Sequence, residues 1–390
     1  MTAITCVADM RALACRRLPR MFFDYVDGGS WSQSTLHANT RAMESVRLRQ
    51  RIGVDISRRE TATELLGSKA RLPVAISPTG MAGLLHPDGE LALARAAAGF
   101  GVPFGLSIAS SHSLEAVRAA SPGSLWLQLS VLKDERFMRQ LIERAREQRC
   151  AALILTMDFH VAGQRHSDIR HGLTLPPRPR PAALANLARK LRWTWRMRRR
   201  APLFGNIIGH AAGVNDMDSF RHWYAGQFEL KLGWHHVEWV KRHWQGPLIV
   251  KGVLDAHDAR RAIDAGADAL SVSNHGGRQL DGAPATLEVL PEVAAAASGR
   301  CAVLLDGGVR SGQDILRTMA LGAHGVLLGR APLYGLAAQG ERGVRRVLEI
   351  LRQETDLTLA LCGCTSARDF SAGNLWSPST PAATHRESQP

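Results

Sequence analysis

Val303-Leu304-Leu305-Asp306-Gly307-Gly308-Val309-Arg310 and, one helical stretch later, Gly325-Val326-Leu327-Leu328-Gly329-Arg330 share a design: a short apolar run that stops at glycine and arginine. Short apolar runs bounded by glycine read as strands buried on both faces. Tight turns would explain the glycines alone. Glycine with arginine at two strand ends also offers free backbone N–H groups and positive charge, the makings of a phosphate site. Working back along the chain, Pro73–Ser77, Val102–Ser107, Leu125–Leu129, Ala152–Asp158, Leu248–Gly252 and Ala269–Asn274 are further apolar runs separated by helical stretches. With Val303–Gly308 and Gly325–Arg330 they make eight β/α units, which predicts an α/β protein built as a closed (β/α)8 barrel. An open doubly wound sheet is the competing arrangement, and it needs a switch of strand order that a sequence does not display.

The runs end alike. Ser77-Pro78-Thr79-Gly80, Ser107, Gln128, Thr156-Met157-Asp158, Lys251-Gly252, Ser273-Asn274-His275, Asp306-Gly307-Gly308 and Gly329-Arg330 are polar or glycine. In a parallel barrel all these ends lie on one face, where the loops build the site. One polar pocket is the expectation.

The densest chemistry lies in Val272-Ser273-Asn274-His275-Gly276-Gly277-Arg278-Gln279-Leu280-Asp281-Gly282. His275 stands directly after a strand, beside two glycines that let a substrate approach. Imidazole titrates near neutrality and can take a proton. Arg278 offers a planar fork of donors that matches a carboxylate. A loop histidine next to a surface arginine would look the same in isolation.

Composition narrows the class. The chain has 390 residues, 45% hydrophobic and 22% charged, as in an ordinary globular protein. Six scattered cysteines suggest neither a disulfide framework nor a zinc site, and no metal is expected. The first twenty residues lack the apolar core of a secretory signal, and no long apolar run predicts a transmembrane helix. Residues 1–375 read as one barrel domain and 376–390 as a disordered tail. Helices are expected before the first strand, with Phe22–Asp27 reaching the barrel mouth. The connection 160–246 is too long for an ordinary crossover, so it reads as a functional or partly mobile insertion.

The net charge of +14 is uneven. Arg178, Arg180, Arg189, Lys190, Arg192, Arg196, Arg198, Arg199 and Arg200 fall in a segment without acids. A single basic stretch points to one local anionic contact, and it lacks a nucleic-acid recognition fold. Within 181–200, Leu184, Leu187, Ala188, Leu191 and Trp195 recur at helical spacing with most of the basic residues elsewhere on the wheel. That pattern suits an interfacial helix on an anionic membrane surface, although a solvated basic loop over the barrel mouth would share it.

From Leu18-Pro19 through Phe23-Asp24-Tyr25, the Ser273–Asp281 and Asp306–Arg310 strings, to Leu359-Ala360-Leu361-Cys362-Gly363-Cys364, the chain resembles the FMN-dependent L-2-hydroxy acid dehydrogenases and oxidases. These include glycolate oxidase and the lactate and mandelate dehydrogenases. The resemblance implies that Pro78, Thr79 and Gly80 lie along the flavin, with Ser107, Gln128 and Thr156 bonded to its ring and Lys251 at its N1 and O2 edge. It implies that Ser273 helps hold FMN and that Asp306, Gly308, Arg310, Gly329 and Arg330 bind its ribityl phosphate. Arg278 and Arg165, assisted by Tyr25, would hold the substrate carboxylate. His275 would be the base, with Asp158 on its other nitrogen.

One position departs from the family. Where these proteins usually carry a tyrosine two residues after the glutamine of the third strand, this chain has Ser130. The shorter hydroxyl reaches less far, so a water takes its place, the pocket serves a bulkier substrate, or the protein binds flavin with little catalysis. The wording of Tyr25–Gly29 and Val54–Arg59 leans toward the mandelate branch. The resemblance further implies a membrane-docking segment at 181–200, a quinone as electron acceptor, a peripheral place on the inner face of the cell membrane, and a homotetramer. Gly80, where the oxidases commonly carry alanine, leans toward a dehydrogenase; a soluble oxidase releasing hydrogen peroxide is the alternative.

Overall fold

The structure is a computed structural model that describes residues 3–173, 186, 188–199 and 203–377. Eight parallel strands close on themselves: β1 (Val74–Ile76), β2 (Phe104–Ser107), β3 (Leu125–Ser130), β4 (Ala152–Thr156), β5 (Leu248–Val253), β6 (Ala269–Ser273), β7 (Ala302–Asp306) and β8 (Gly325–Leu328). β8 returns to β1 with Val326 opposite Val74, so the sheet has no open edge and the doubly wound alternative is excluded. Several strands stop earlier than expected. Asp158, Asn274 and Gly308 therefore stand in loops just beyond them, and Arg330 opens the helix that follows.

Successive side chains of a strand point to opposite faces, and this alternation explains the barrel's two layers. Ala75, Trp126, Ile154, Ile249, Ala269, Leu304 and Leu327 form one buried apolar cluster, separate from the larger cluster between strands and helices. Two residues further along most of these strands, the same inward register turns polar: Ser77, Gln128, Thr156, Lys251, Asp306. The lower barrel is filled with hydrocarbon, and the upper barrel is lined with hydrogen-bonding groups.

The floor is sealed by a hairpin, Thr63–Leu65 with Ser68–Ala70, that was not expected from the sequence. Its Leu65 and Ala70 join the inner cluster, and a β-carbon at Gly325 would meet the Leu65 side chain at 2.7 Å. The crossover helices begin with side-chain caps, each satisfying a backbone N–H that a helix start leaves free. Ser113, Asp134, Asp255 and Ser311 accept from Ala116, Phe137, Asp258 and Asp314.

Two additions shape the mouth. The first comprises α1 (Val7–Arg17), α2 (Arg20–Asp27) and α3 (Ser34–Ser45). Asp281 fastens the start of α3 by accepting from the Ser32 and Ser34 hydroxyls and the Thr35 N–H. The second is the insertion after β4. Its later part is well packed: Phe204 stacks on Phe220 at 4.1 Å, and buried Asn206 accepts from the Leu114 N–H at 2.7 Å and donates to Ser110. The helix Trp234–Trp244 then fills the ordinary crossover place before β5. Of the expected interfacial segment, residues 181–185, 187 and 200 lie outside the described residues, as does the tail from 378.

Candidate active site

A polar ladder crosses the upper barrel because neighbouring strands are in register there. Ser107 lies opposite Gln128, Ser130 opposite Thr156, Thr156 opposite Lys251, and Ser273 opposite Asp306. The Ser107 hydroxyl donates to Gln128 Oε1 at 3.0 Å, and Gln128 Nε2 donates to Thr156 Oγ1 at 3.0 Å and Ser130 Oγ at 3.2 Å. Lys251 Nζ donates to Ser273 Oγ at 2.9 Å and pairs with Asp306 at 2.7 Å. Burial opposes the lysine's charge, yet Asp306 and then Asp158 outweigh it and hold the ammonium above its ordinary range. It is a fixed cation at the base of the pocket.

His275 stands just past β6 with φ at +57°, in the left-handed region. Two bonds support that backbone: its N–H donates to Ser273 Oγ at 3.1 Å, and Gly277 N–H reaches back to the Asn274 carbonyl at 3.0 Å. Its Nδ1 meets both oxygens of Asp158, at 3.1 and 3.2 Å. A carboxylate at Nδ1 favours the tautomer protonated there and leaves the Nε2 lone pair free. Burial pushes the Asp158 carboxyl up, but His275 and then Lys251 hold it below the usual range, so it is an anion.

Two residues make this pair possible, and sequence reasoning assigned neither a role. Gly252 lies at a bulge with φ at +110°, where a β-carbon would come within 2.7 Å of Asp158. Gln279 spans the loop after β4, donating to the carbonyls of Asp158 and Val161 and accepting from Gly163 N–H. Gly252 was visible only as a strand end, and Gln279 only as part of a motif.

Tyr25, Arg165 and Arg278 converge beside His275's loop. The Arg278 guanidinium lies 4.9 Å from the Tyr25 ring centre and that of Arg165 5.9 Å. Arg278 Nη1 donates to the Tyr25 and Gly28 carbonyls, and Arg165 pairs with Asp168 at 2.7 Å. Each guanidinium keeps further donors for a ligand. Burial and then Arg165 disfavour the Arg278 charge, which a bound anion would offset.

On the far side, Gly308 has φ at +83°, and Arg310 faces the Tyr334 ring at 6.0 Å. Gly329 caps the helix Arg330–Gln339, and a β-carbon there would meet nothing within 4 Å. Arg330 donates to the carbonyls of Val26 and Gly28. Among the described residues neither arginine pairs with a carboxylate. A helix start and two unneutralised arginines form a cradle for a phosphate. Pro78, Thr79 and Gly80 form the half-buried loop after β1, tied by the Met81 N–H to Ala109. Phosphate cradle, polar ladder and buried lysine together fit the phosphate and the polar edge of FMN. Gly308→Ala is expected to cost about 1–3 kcal/mol, because the new β-carbon would lie 2.5 Å from the Asn39 carbonyl of α3. Urea unfolding with and without added FMN would measure the loss.

Comparison with known proteins agrees with this donor set. A family model described as FMN-dependent dehydrogenase matches residues 14–377. An L-lactate dehydrogenase of Caulobacter sp. (strain K31) is 43% identical over 92% of this chain and 95% of its own. One from Pseudomonas syringae pv. syringae (strain B728a) is 39% identical over 95% and 98%. The crystal structure of a monotopic membrane protein, (S)-mandelate dehydrogenase, superposes with a TM-score of 0.92 at 37% identity over 96% of this chain and all of its own. With its closed barrel and its phosphate cradle, the chain belongs to the FMN-dependent dehydrogenase family.

Proposed function

We infer that the protein oxidises an L-2-hydroxy acid of the lactate or mandelate type to the 2-keto acid. The observation that carries this reading is His275 held at Nδ1 by an anionic Asp158, beside the Tyr25–Arg165–Arg278 cluster. Oxidation of the alcohol carbon removes two electrons and two protons. FMN, when bound, supplies the acceptor for the electron pair. Arg278 and Arg165 hold the substrate carboxylate, and the Tyr25 hydroxyl is the third group at that end. This fixes the C2–OH unit against Nε2 of His275, the nitrogen free to take a proton. Asp158 stabilises the imidazolium that forms, and Lys251 places a positive charge under the electron-accepting end of the pocket.

The electrons pass onward to a quinone at an anionic membrane surface on this reading. Leu191 and Trp195 lie four residues apart on the helix Leu191–Arg196 and are 74% and 67% exposed, whereas Trp193 turns inward and stacks on Phe22 at 4.9 Å. Arg189, Lys190, Arg192 and Arg196 flank that apolar pair in sequence. No helix among the described residues is long and apolar enough to cross a membrane. A monotopic relative supports attachment to one face, and Gly80 favours a dehydrogenase over an oxidase.

Anaerobic mixing of the FMN-loaded protein with L- and D-lactate, both mandelates and glycolate tests the reading. Bleaching of the flavin by L enantiomers, followed by reoxidation by a quinone analogue faster than by oxygen, is expected. A flavin that stays yellow with every acid would overturn the reaction. Stoichiometric hydrogen peroxide in air would replace the quinone with oxygen.

A further inference from the structure

The unusual backbone at His275 does not end there. His275, Gly276 and Gly277 follow one another with φ at +57°, +66° and +71°, so the base heads a left-handed turn of three residues. Residues with side chains avoid that region, and consecutive residues in it are rarer still. A turn of this kind persists only where its surroundings hold it in place. The bonds to Ser273 and to the Asn274 carbonyl come from the loop itself. The hold from outside comes from α3.

Asn39, in the middle of α3, meets Asn274 amide to amide. Asn39 Nδ2 donates to Asn274 Oδ1 at 2.9 Å, and Asn274 Nδ2 donates back to Asn39 Oδ1 at 2.8 Å. The two residues are only 2% and 4% exposed, so water does not compete for the pair. Their remaining capacity is spent around the turn. Asn274 Oδ1 also accepts from the Gly277 N–H at 3.2 Å, and its Nδ2 donates to the Pro284 carbonyl at 3.0 Å. Asn39 Oδ1 accepts in addition from the Thr286 N–H at 3.1 Å, where the helix Thr286–Ala297 begins. Either amide turned end for end would set oxygen against oxygen, so each dictates the orientation of the other.

Packing agrees with this bonding. A β-carbon at Gly277 would lie 2.6 Å from the Leu36 nitrogen, also on α3. Asp281, at the end of the same loop, latches the start of that helix. Helix and base loop are thus joined at Asp281, at Gly277 and at Asn274. Of these joints, the Asn39 amide is the one that bonds the residue immediately before His275.

We propose that Asn39 is a positioning residue for the base: acting through Asn274, it holds the left-handed turn that sets where Nε2 of His275 stands. The inference rests on the oxidation of 2-hydroxy acids proposed above, in which His275 takes the proton. The tie from Nδ1 to Asp158 orients the ring but not the backbone that carries it. A displacement on the order of 1 Å at a reacting group costs about a hundredfold in rate.

The test is the limiting rate of anaerobic flavin reduction at saturating L-lactate or (S)-mandelate. It is measured on the FMN-loaded wild type, Asn39→Ala, His275→Asn and the double variant. Asn39→Ala is expected to slow reduction by about tenfold to a hundredfold when His275 is present. Where asparagine already replaces the base, the further loss should be less than about twofold, because groups that act through one another are not additive. A merely structural role would cost the same factor in both backgrounds. A bound-flavin spectrum matching the wild type identifies folded protein. Asn39→Asp keeps the shape and the oxygen that accepts from Thr286 and Asn274, and loses the donor to Asn274 Oδ1. It is read in the same way where Asn39→Ala holds no flavin. Reduction within about twofold of wild type, or an equal loss in both backgrounds, would overturn the positioning role and leave the oxidation standing. Loss of flavin from both Asn39 variants would do the same, by assigning Asn39 to the framework of the cofactor site. Wild-type flavin reduced by no 2-hydroxy acid would overturn both readings.

Discussion

Replacing His275 with asparagine is expected to slow anaerobic flavin reduction by a 2-hydroxy acid by about 10²–10⁴-fold, the usual contribution of a positioned general base. Asparagine is the informative substitution because the position has φ at +57°. Short polar side chains tolerate that left-handed conformation better than most, so the loop need not rearrange. The amide can still bond Asp158, as Nδ1 does at 3.1 Å. It lacks a group that takes up a proton near neutrality. The ladder from Ser107 to Lys251 is untouched, so FMN should remain bound with an unaltered visible spectrum. A variant that bleaches at the wild-type rate would remove His275 from the reaction and leave the arginine clamp without a partner base. Loss of bound flavin instead would mean that the loop, not the imidazole, had been disturbed.

Much of this geometry was legible because it is periodic or local. The barrel could be read from eight apolar runs, and the polar mouth from their endings. The inward register carries both signals at once: Trp126 and Gln128, Ile154 and Thr156, Leu304 and Asp306 are the same face seen at two heights. Three other features could not be read in that way. The hairpin Thr63–Ala70 has strands of three residues, too short for alternation to register. Gly252 matters through Asp158, almost a hundred residues earlier, and a sequence shows only that a glycine follows a lysine. Phe159 meets the Phe228 ring at 5.8 Å across an insertion whose path depends on anchors such as Asn206 at Leu114. Residue types announce chemistry, whereas proximity between distant loops is decided by packing.

The assigned roles divide in the same manner. His275 and Arg278 are three residues apart, and their shared loop was apparent. Tyr25 joins them because α2 is clamped to the mouth through Arg278 and Arg330, which donate to the carbonyls of Tyr25, Val26 and Gly28, whereas Arg165 comes from the insertion after β4 and pairs there with Asp168. Two arginines suited to anions thus also position the segment that completes the clamp. Substitutions at Arg330 should accordingly disturb both ends of the pocket.

Lys251→Met is expected to reduce stability by about 3–5 kcal/mol, the range for breaking a buried ion pair from one side. The lysine and Asp306 side chains are only 5% and 11% exposed and lie 2.7 Å apart. Methionine preserves most of the stem but leaves the Asp306 carboxylate with the Ser273 hydroxyl as its remaining polar contact, and Ser273 loses a donor of its own. The double variant Lys251→Met with Asp306→Asn should recover part of the loss, because the stranded charge is then absent as well. A double variant as unstable as the sum of its single changes would show that the pair is not coupled. The pH dependence distinguishes this from a titration effect. Lys251's folded pKa is raised, so its contribution is complete below the unfolded value of about 10.4 and is lost only as pH rises through the folded one. The difference between wild type and Lys251→Met in urea midpoints should therefore stay constant from pH 6 to about 9. Because the same ammonium underlies the proposed FMN site, weaker flavin retention on gel filtration should accompany the loss.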